Sequence, residues 1–120
     1  MTNANEVAEA YLNVWNERDR ARRESLIANG WTEGAIYVDP LMRGTGRSEI
    51  AELIGAVQER FPDFRFGLLG KPDGFGANVR FSWGLGPVGG EPPIKGTDFV
   101  TLENGRFDRV IGFLDEVPAA

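Results

Sequence analysis

Three residues in this chain have the types and surroundings for proton chemistry: Tyr11 on an apolar helical stripe, Asp39 in the run Tyr37-Val38-Asp39-Pro40, and Asp98 inside the strand-like run Ile94 to Leu102. The chain contains no histidine and no cysteine, so the commonest general base and the thiolate nucleophile are both missing. Acid/base work falls to Asp, Glu, Tyr, Lys or Arg. A carboxyl set among apolar side chains loses more solvation as an anion than as an acid, so its pKa rises and it can exchange a proton near neutral pH.

Each of the three also has a plainer reading. Asp39 precedes Pro40, where an aspartate commonly starts a turn. It also shares its strand face with Ala35 and Tyr37, which would aim it into a cleft. Asp98 alternates with Ile94, Val100 and Leu102 on one strand face, so it must be protonated, turned to a cavity, or paired, with Arg80 and Arg109 as the candidate partners. Tyr11 fits a core position with its hydroxyl hydrogen-bonded. The aromatic residues Trp15, Trp31, Tyr37, Phe66, Phe81 and Trp83 either fill the core or line a pocket for a flat apolar ligand. Trp31 and Trp83 are the better pocket candidates, because an indole N–H needs a polar partner.

The elements that position these residues follow from hydrophobic period. From Asn5, Val7, Tyr11, Val14 and Trp15 form one helical stripe ending near Asn16 to Arg18. Asp19 caps a second helix, Arg20 to Asn29, with Leu26 and Ile27 inward, its arginines on a solvated face and Gly30 as its stop. A short strand spans Ala35 to Asp39, and a third helix runs from Ser48 to Arg60, stopped by Pro62. The period then changes to two. Phe64, Phe66 and Leu68 mark one strand, Val79 to Leu85 a second, Ile94 to Leu102 a third, and Asn104-Gly105 turns the chain into the last strand, Phe107 to Leu114. One domain spanning residues 1–120 is expected, an α+β architecture with a curved, mostly antiparallel sheet.

Composition narrows the partners. With 13 Lys and Arg against 18 Asp and Glu, the net charge is −5 and the pI near 4.7, which argues against a nucleic-acid backbone as ligand. No apolar run is long enough to span a membrane, and the first ten residues lack a secretory pattern, so a cytoplasmic protein is expected. The run Gly84-Leu85-Gly86-Pro87-Val88-Gly89 matches a dinucleotide fingerprint in letters, yet it leads into Gly90-Glu91-Pro92-Pro93, which cannot open the helix that a pyrophosphate needs. No residue cluster has metal-ligand spacing, and no metal or cofactor is expected.

Tyr11 to Asn16 with Asp19, Tyr37-Val38-Asp39-Pro40, Gly46-Arg47, Thr97-Asp98-Phe99 and Gly112-Phe113-Leu114-Asp115 together resemble the NTF2-like superfamily, in particular SnoaL-like proteins and ketosteroid isomerases. The resemblance covers nearly the whole chain. It implies a cystatin-like cone, a sheet wrapped around three N-terminal helices to form a pocket, and usually a homodimer, with Arg80, Thr101 and Arg109 near its interface. It further implies Asp39 as a general base, Tyr11 and a neutral Asp98 as donors to an enolate oxygen, and a small hydrophobic carbonyl compound as ligand. Polyketide-cyclase-like proteins, which the chain also resembles, would instead use Asp98 as acid and base in a ring closure. Scytalone-dehydratase-like and limonene-epoxide-hydrolase-like activities are disfavoured, the first for want of histidine and the second because Arg80-Phe81-Ser82 stands in place of Arg-x-Asp. A non-catalytic ligand-binding or dimeric scaffold protein is the alternative.

Overall fold

The computed structural model describes residues 3–118. Helix α1 (Ala4–Asn16) begins at Asn3, whose side chain accepts from the Glu6 N–H, and α2 (Arg20–Gly30) begins at Asp19, whose carboxylate accepts from the Arg22 N–H. These side chains satisfy amide groups that a helix start leaves open. Strand β1 (Trp31–Val38) and the short β2 (Arg43–Thr45) precede α3 (Arg47–Arg60), and four strands follow: β3 (Phe64–Phe75), β4 (Asn78–Pro87), β5 (Ile94–Glu103) and β6 (Arg106–Glu116).

The strands form one curved, unclosed sheet in the order β2-β1-β6-β5-β4-β3. All pairs are antiparallel except β1 with β6, which run parallel. Alternation places Val79, Phe81, Trp83 and Leu85 of β4 inward, as period two requires when one face meets a core. The α+β class and the curved sheet with three helices are as expected.

Several local expectations change. Strand β3 continues past Leu68 through an irregularity between Leu69 and Asp73, at which Gly70 takes a φ of 71°. Gly30 is the last helical residue, with Trp31 as the cap whose N–H reaches the Ile27 carbonyl. On α2 it is Arg23, not Leu26, that joins Ile27 inside; Leu26 is exposed. Arg23 is held there by Gln58, whose side-chain oxygen accepts at 2.6 Å, and by the Glu17 carbonyl at 3.0 Å. The Gln58 amide in turn donates to the carbonyls of Trp15 and Glu17, so α1, α2 and α3 are joined at the end of α1.

The same end of α1 is tied to the sheet. The Asn16 side chain donates to the Phe66 carbonyl at 2.9 Å and accepts from the Phe66 N–H at 2.8 Å. Arg18 donates to the carbonyls of Gln58, Phe61 and Phe64. These bonds fix where α1 crosses the concave face, and with it the direction of Tyr11. Asn104 and Gly105 both have positive φ, 51° and 79°, as the tight β5–β6 hairpin needs. Gly84 and Gly86 serve packing: a Cβ on either would stand within 3 Å of the Pro92 segment that folds back over β4.

Candidate active site

A cavity of about 650 Å³ lies between α1, the end of α3 and the concave sheet. Tyr11, Trp15, Tyr37, Asp39, Phe66, Trp83 and Asp98 line it, joined by Leu12, Met42, Val57, Phe61, Leu85, Ile94 and Leu114. Its buried end holds Tyr11 and Asp98, 1% and 3% exposed, and its mouth is edged by Leu41 and Val117, 81% and 55% exposed. Trp31 and Phe81 do not line it. Both pack behind Tyr11 as core, with ring centroids 5.8 Å and 5.2 Å from the tyrosine ring, so Trp31 is not the pocket residue its indole suggested. A second hollow between α2 and α3 is lined by neither carboxyl and mixes arginines with glutamates.

Strand register builds the polar end. Asp98 on β5 pairs with Gly112 on β6, and Val38 on β1 pairs with Ile111, which brings Asp39 alongside Gly112 from the other side. A Cβ on Gly112 would lie 2.9 Å from Asp98 Oδ1 and 3.3 Å from the Asp39 Cβ. The two aspartates therefore flank one bare glycine. Gly96 repeats the device: a Cβ there would overlap the Trp83 indole, which lies across β5 toward Asp98.

Asp98 forms no ion pair among the described residues, so the expected alternative of a bridge to Arg80 or Arg109 is not what holds it; Arg80 sits 3.4 Å from Asp73. Among the described residues the Asp98 Oδ1 makes no hydrogen bond of standard geometry and neither does the Tyr11 hydroxyl, although the two groups face each other closely enough to act on one another's proton. Burial raises the Asp98 pKa from 3.8 to about 6; the Trp83 indole and the Tyr11 hydroxyl facing it pull the other way, and the charges of Asp39 and Asp115 add to the rise. The Tyr11 pKa is also raised, by burial first and by Asp98 next, so its proton stays on. Four aromatic rings, Trp15, Trp31, Phe81 and Phe107, surround the Tyr11 ring at centroid distances of 5.2 to 6.2 Å. Such packing leaves the hydroxyl one direction.

Asp39 is differently placed. Its Oδ1 accepts from the Leu41 and Met42 N–H groups at 2.8 and 2.9 Å, the turn role read from Asp-Pro, and its Oδ2 accepts from the Tyr37 hydroxyl at 2.6 Å. The Tyr37 pKa is pushed up by burial, by Asp98 and by this bond. Nothing in the sequence marks Gly96, and Gly112 stands out only as the start of the run Gly112-Phe113-Leu114-Asp115; the closeness of each to the site exists only in the register. Among the described residues no group of three or more His, Cys, Asp or Glu gathers as a metal ion needs.

A model of the SnoaL-like domain matches residues 8–110. Among solved structures, an isomerase of the SnoaL-like family from Agrobacterium tumefaciens, so named provisionally, is 47% identical, with a TM-score of 0.91 over 96% of this chain and 99% of that one. A provisionally named ketosteroid isomerase from Kribbella flavida is 22% identical, with a TM-score of 0.71 over 96% and 79% of the two chains. A protein of unknown function from Cytophaga hutchinsonii, 12% identical, superposes with a TM-score of 0.70 over 96% and 92%, and its fold is NTF2-like. No curated protein matches the chain.

Proposed function

The chain belongs to the SnoaL-like domain family, and we propose that this member moves a proton next to the carbonyl of a small hydrophobic molecule. One observation carries the reading. A buried carboxyl faces a firmly packed tyrosine hydroxyl, neither of them in a hydrogen bond of standard geometry among the described residues, at the closed end of a largely apolar cavity. Those are the two groups that enolisation uses, one to take a proton from carbon and one to donate to the oxygen that gains charge.

In this scheme Asp98 is the proton acceptor. It removes the proton from the carbon beside the carbonyl, electrons move onto the carbonyl oxygen, and the Tyr11 hydroxyl donates to that oxygen. Asp98 then returns the proton to another carbon of the same molecule, which shifts a double bond. Where the ligand has a second carbonyl within reach, the enolate carbon attacks it, a carbon–carbon bond forms, and the proton goes to the new alkoxide. Asp39 supports this role for Asp98: held by three donors on its two oxygens, it lies where its charge raises the proton affinity of its neighbour. The name of the Agrobacterium tumefaciens relative agrees with an isomerase.

The assignment implied by resemblance gives Asp39 the base role and keeps Asp98 neutral. It retains one supporting observation, since Asp39 lines the same cavity across Gly112. The test for any proton transfer is hydrogen exchange into β-tetralone, a flat bicyclic ketone, in heavy water. Loss of its α-proton signal faster than in buffer, and not with Asp98→Asn, is expected. Exchange no faster than buffer for a series of such ketones would leave the chain as a binding protein.

We also propose a homodimer through the outer sheet face. Phe99, Ile111 and Phe113 are 43%, 38% and 53% exposed there, and Phe99 and Phe113 meet edge to face at 5.8 Å. Arg80, Thr101 and Arg109 border them by register, the arrangement of an apolar patch with a polar rim.

A further inference from the structure

Among the described residues that line the cavity, the acidic and basic side chains are Asp39, Asp98 and Arg60. The two aspartates belong to the inner row. Arg60 stands at the mouth, in the last turn of α3, exposed and in no salt bridge among the described residues. Its guanidinium carbon lies 5.7 Å from the ring centroid of Phe61, itself a lining residue, so the charge rests on the aromatic edge of the opening. A cation near a helix C-terminus is favoured by the helix dipole. That explains an arginine on this turn, but not one set against the apolar rim of a cavity.

Resting on the functional reading above, we propose that the ligand carries an anionic oxygen group, a carboxylate, sulfonate or phosphate, at the end remote from its reacting carbonyl, and that Arg60 binds it. Geometry orders the parts. The carbonyl goes inward to Tyr11 and Asp98, the apolar body lies against Trp15, Phe66 and Trp83, and the anion stays at the mouth, where it keeps part of its hydration. An anion at the inner end would meet two carboxyls and no cation. The reverse orientation is thereby disfavoured by charge alone, and Arg60 becomes the residue that sets which end of the ligand enters.

The test uses two fluorescent dyes of similar shape, anionic anilinonaphthalene sulfonate and uncharged N-phenylnaphthylamine. The sulfonate is titrated as a competitor of the neutral dye, so that both report one site. Arg60→Gln should weaken the sulfonate by about twofold to fivefold, the range for an exposed charged pair, and leave the neutral dye unchanged. Arg60→Lys should recover part of the loss. A dipole role alone would move the melting temperature and neither dye. Equal affinity of wild type and Arg60→Gln for the sulfonate, with the neutral dye still bound, overturns the Arg60 proposal by itself. Failure of the sulfonate alone to bind wild type likewise overturns only the Arg60 proposal, whereas failure of both dyes overturns it together with the cavity reading beneath it.

Discussion

The Asp98 carboxyl rests over Gly112, so closely that a single added carbon on the glycine would stand 2.9 Å from Asp98 Oδ1. The same carbon would press on Asp39 from the other side, at 3.3 Å from its Cβ. Gly112→Ala should therefore move the carboxyls apart. Because the residue has no positive φ, the backbone can accept alanine, and the effect expected is on turnover, about tenfold or more for a displaced catalytic group, with the far-UV spectrum unchanged. Wild-type turnover of a ligand by Gly112→Ala would show that the spacing does not matter.

The direction of the pH profile separates the two assignments of the carboxyls. If Asp98 takes the proton, kcat/KM of the free protein rises with pH through about 6 and levels off above it, as the carboxyl ionises. If Asp98 acts as a neutral donor, the profile is high at acid pH and falls through the same value. A single exchange assay from about pH 4.5 to 8 decides between them.

Substitution gives a second, independent reading. Asp98→Asn should lower the proton-transfer rate by on the order of 10²-fold or more, as loss of a general base does, with little change in affinity. Asp39→Asn should cost less, through a loosened turn at Leu41 and Met42. The opposite ranking, with Asp39→Asn the crippled variant, would return the base role to Asp39.

Stability should carry the mark of the same carboxyl. The folded pKa of Asp98, about 6, lies above its ordinary 3.8, so between these values the folded state holds the proton more tightly than the unfolded one. Stability contributed this way is present at low pH and is lost as pH rises through 6. Wild type measured against Asp98→Asn should thus lose about 2 to 3 kcal/mol between roughly pH 4 and 7.5. Parallel stability curves for the two proteins across that range would mean that burial leaves Asp98 unperturbed.

For the outer face, Phe113→Glu should give a monomer by light scattering at micromolar concentration while the far-UV spectrum stays that of wild type. A wild-type protein that already scatters as a monomer would remove the dimer.

Most of the architecture was legible because the helical stripe through Tyr11 and Trp15 and the alternation from Val79 to Leu85 are each written in consecutive residues. Long-range features were not. Strand β2, three residues long, has no period to read, and Arg23 looks like a surface residue until Gln58, 35 positions away, supplies its acceptor. The three candidate residues were found from type and local setting, but the division of labour depends on what reaches each carboxyl. Only the turn bonds at Asp39 were implied by Asp-Pro; the bare oxygen of Asp98 and the glycine beneath it come from pairing across strands.

The parallel pairing of β1 with β6 bears on how the molecule comes to be active. Asp39 extends from a strand made early in the chain, and its neighbour row belongs to the last strand. Closing so long a loop is entropically costly and slow compared with forming the β3–β4 and β5–β6 hairpins. The meander can assemble first, with Asp98 and Gly112 already opposed in its final hairpin, while Asp39 arrives only when β1 docks along the edge. During refolding, then, pairing of Asp98 with Gly112 should precede the appearance of function, and a chain cut before Phe107 would lose the seat of both carboxyls at once.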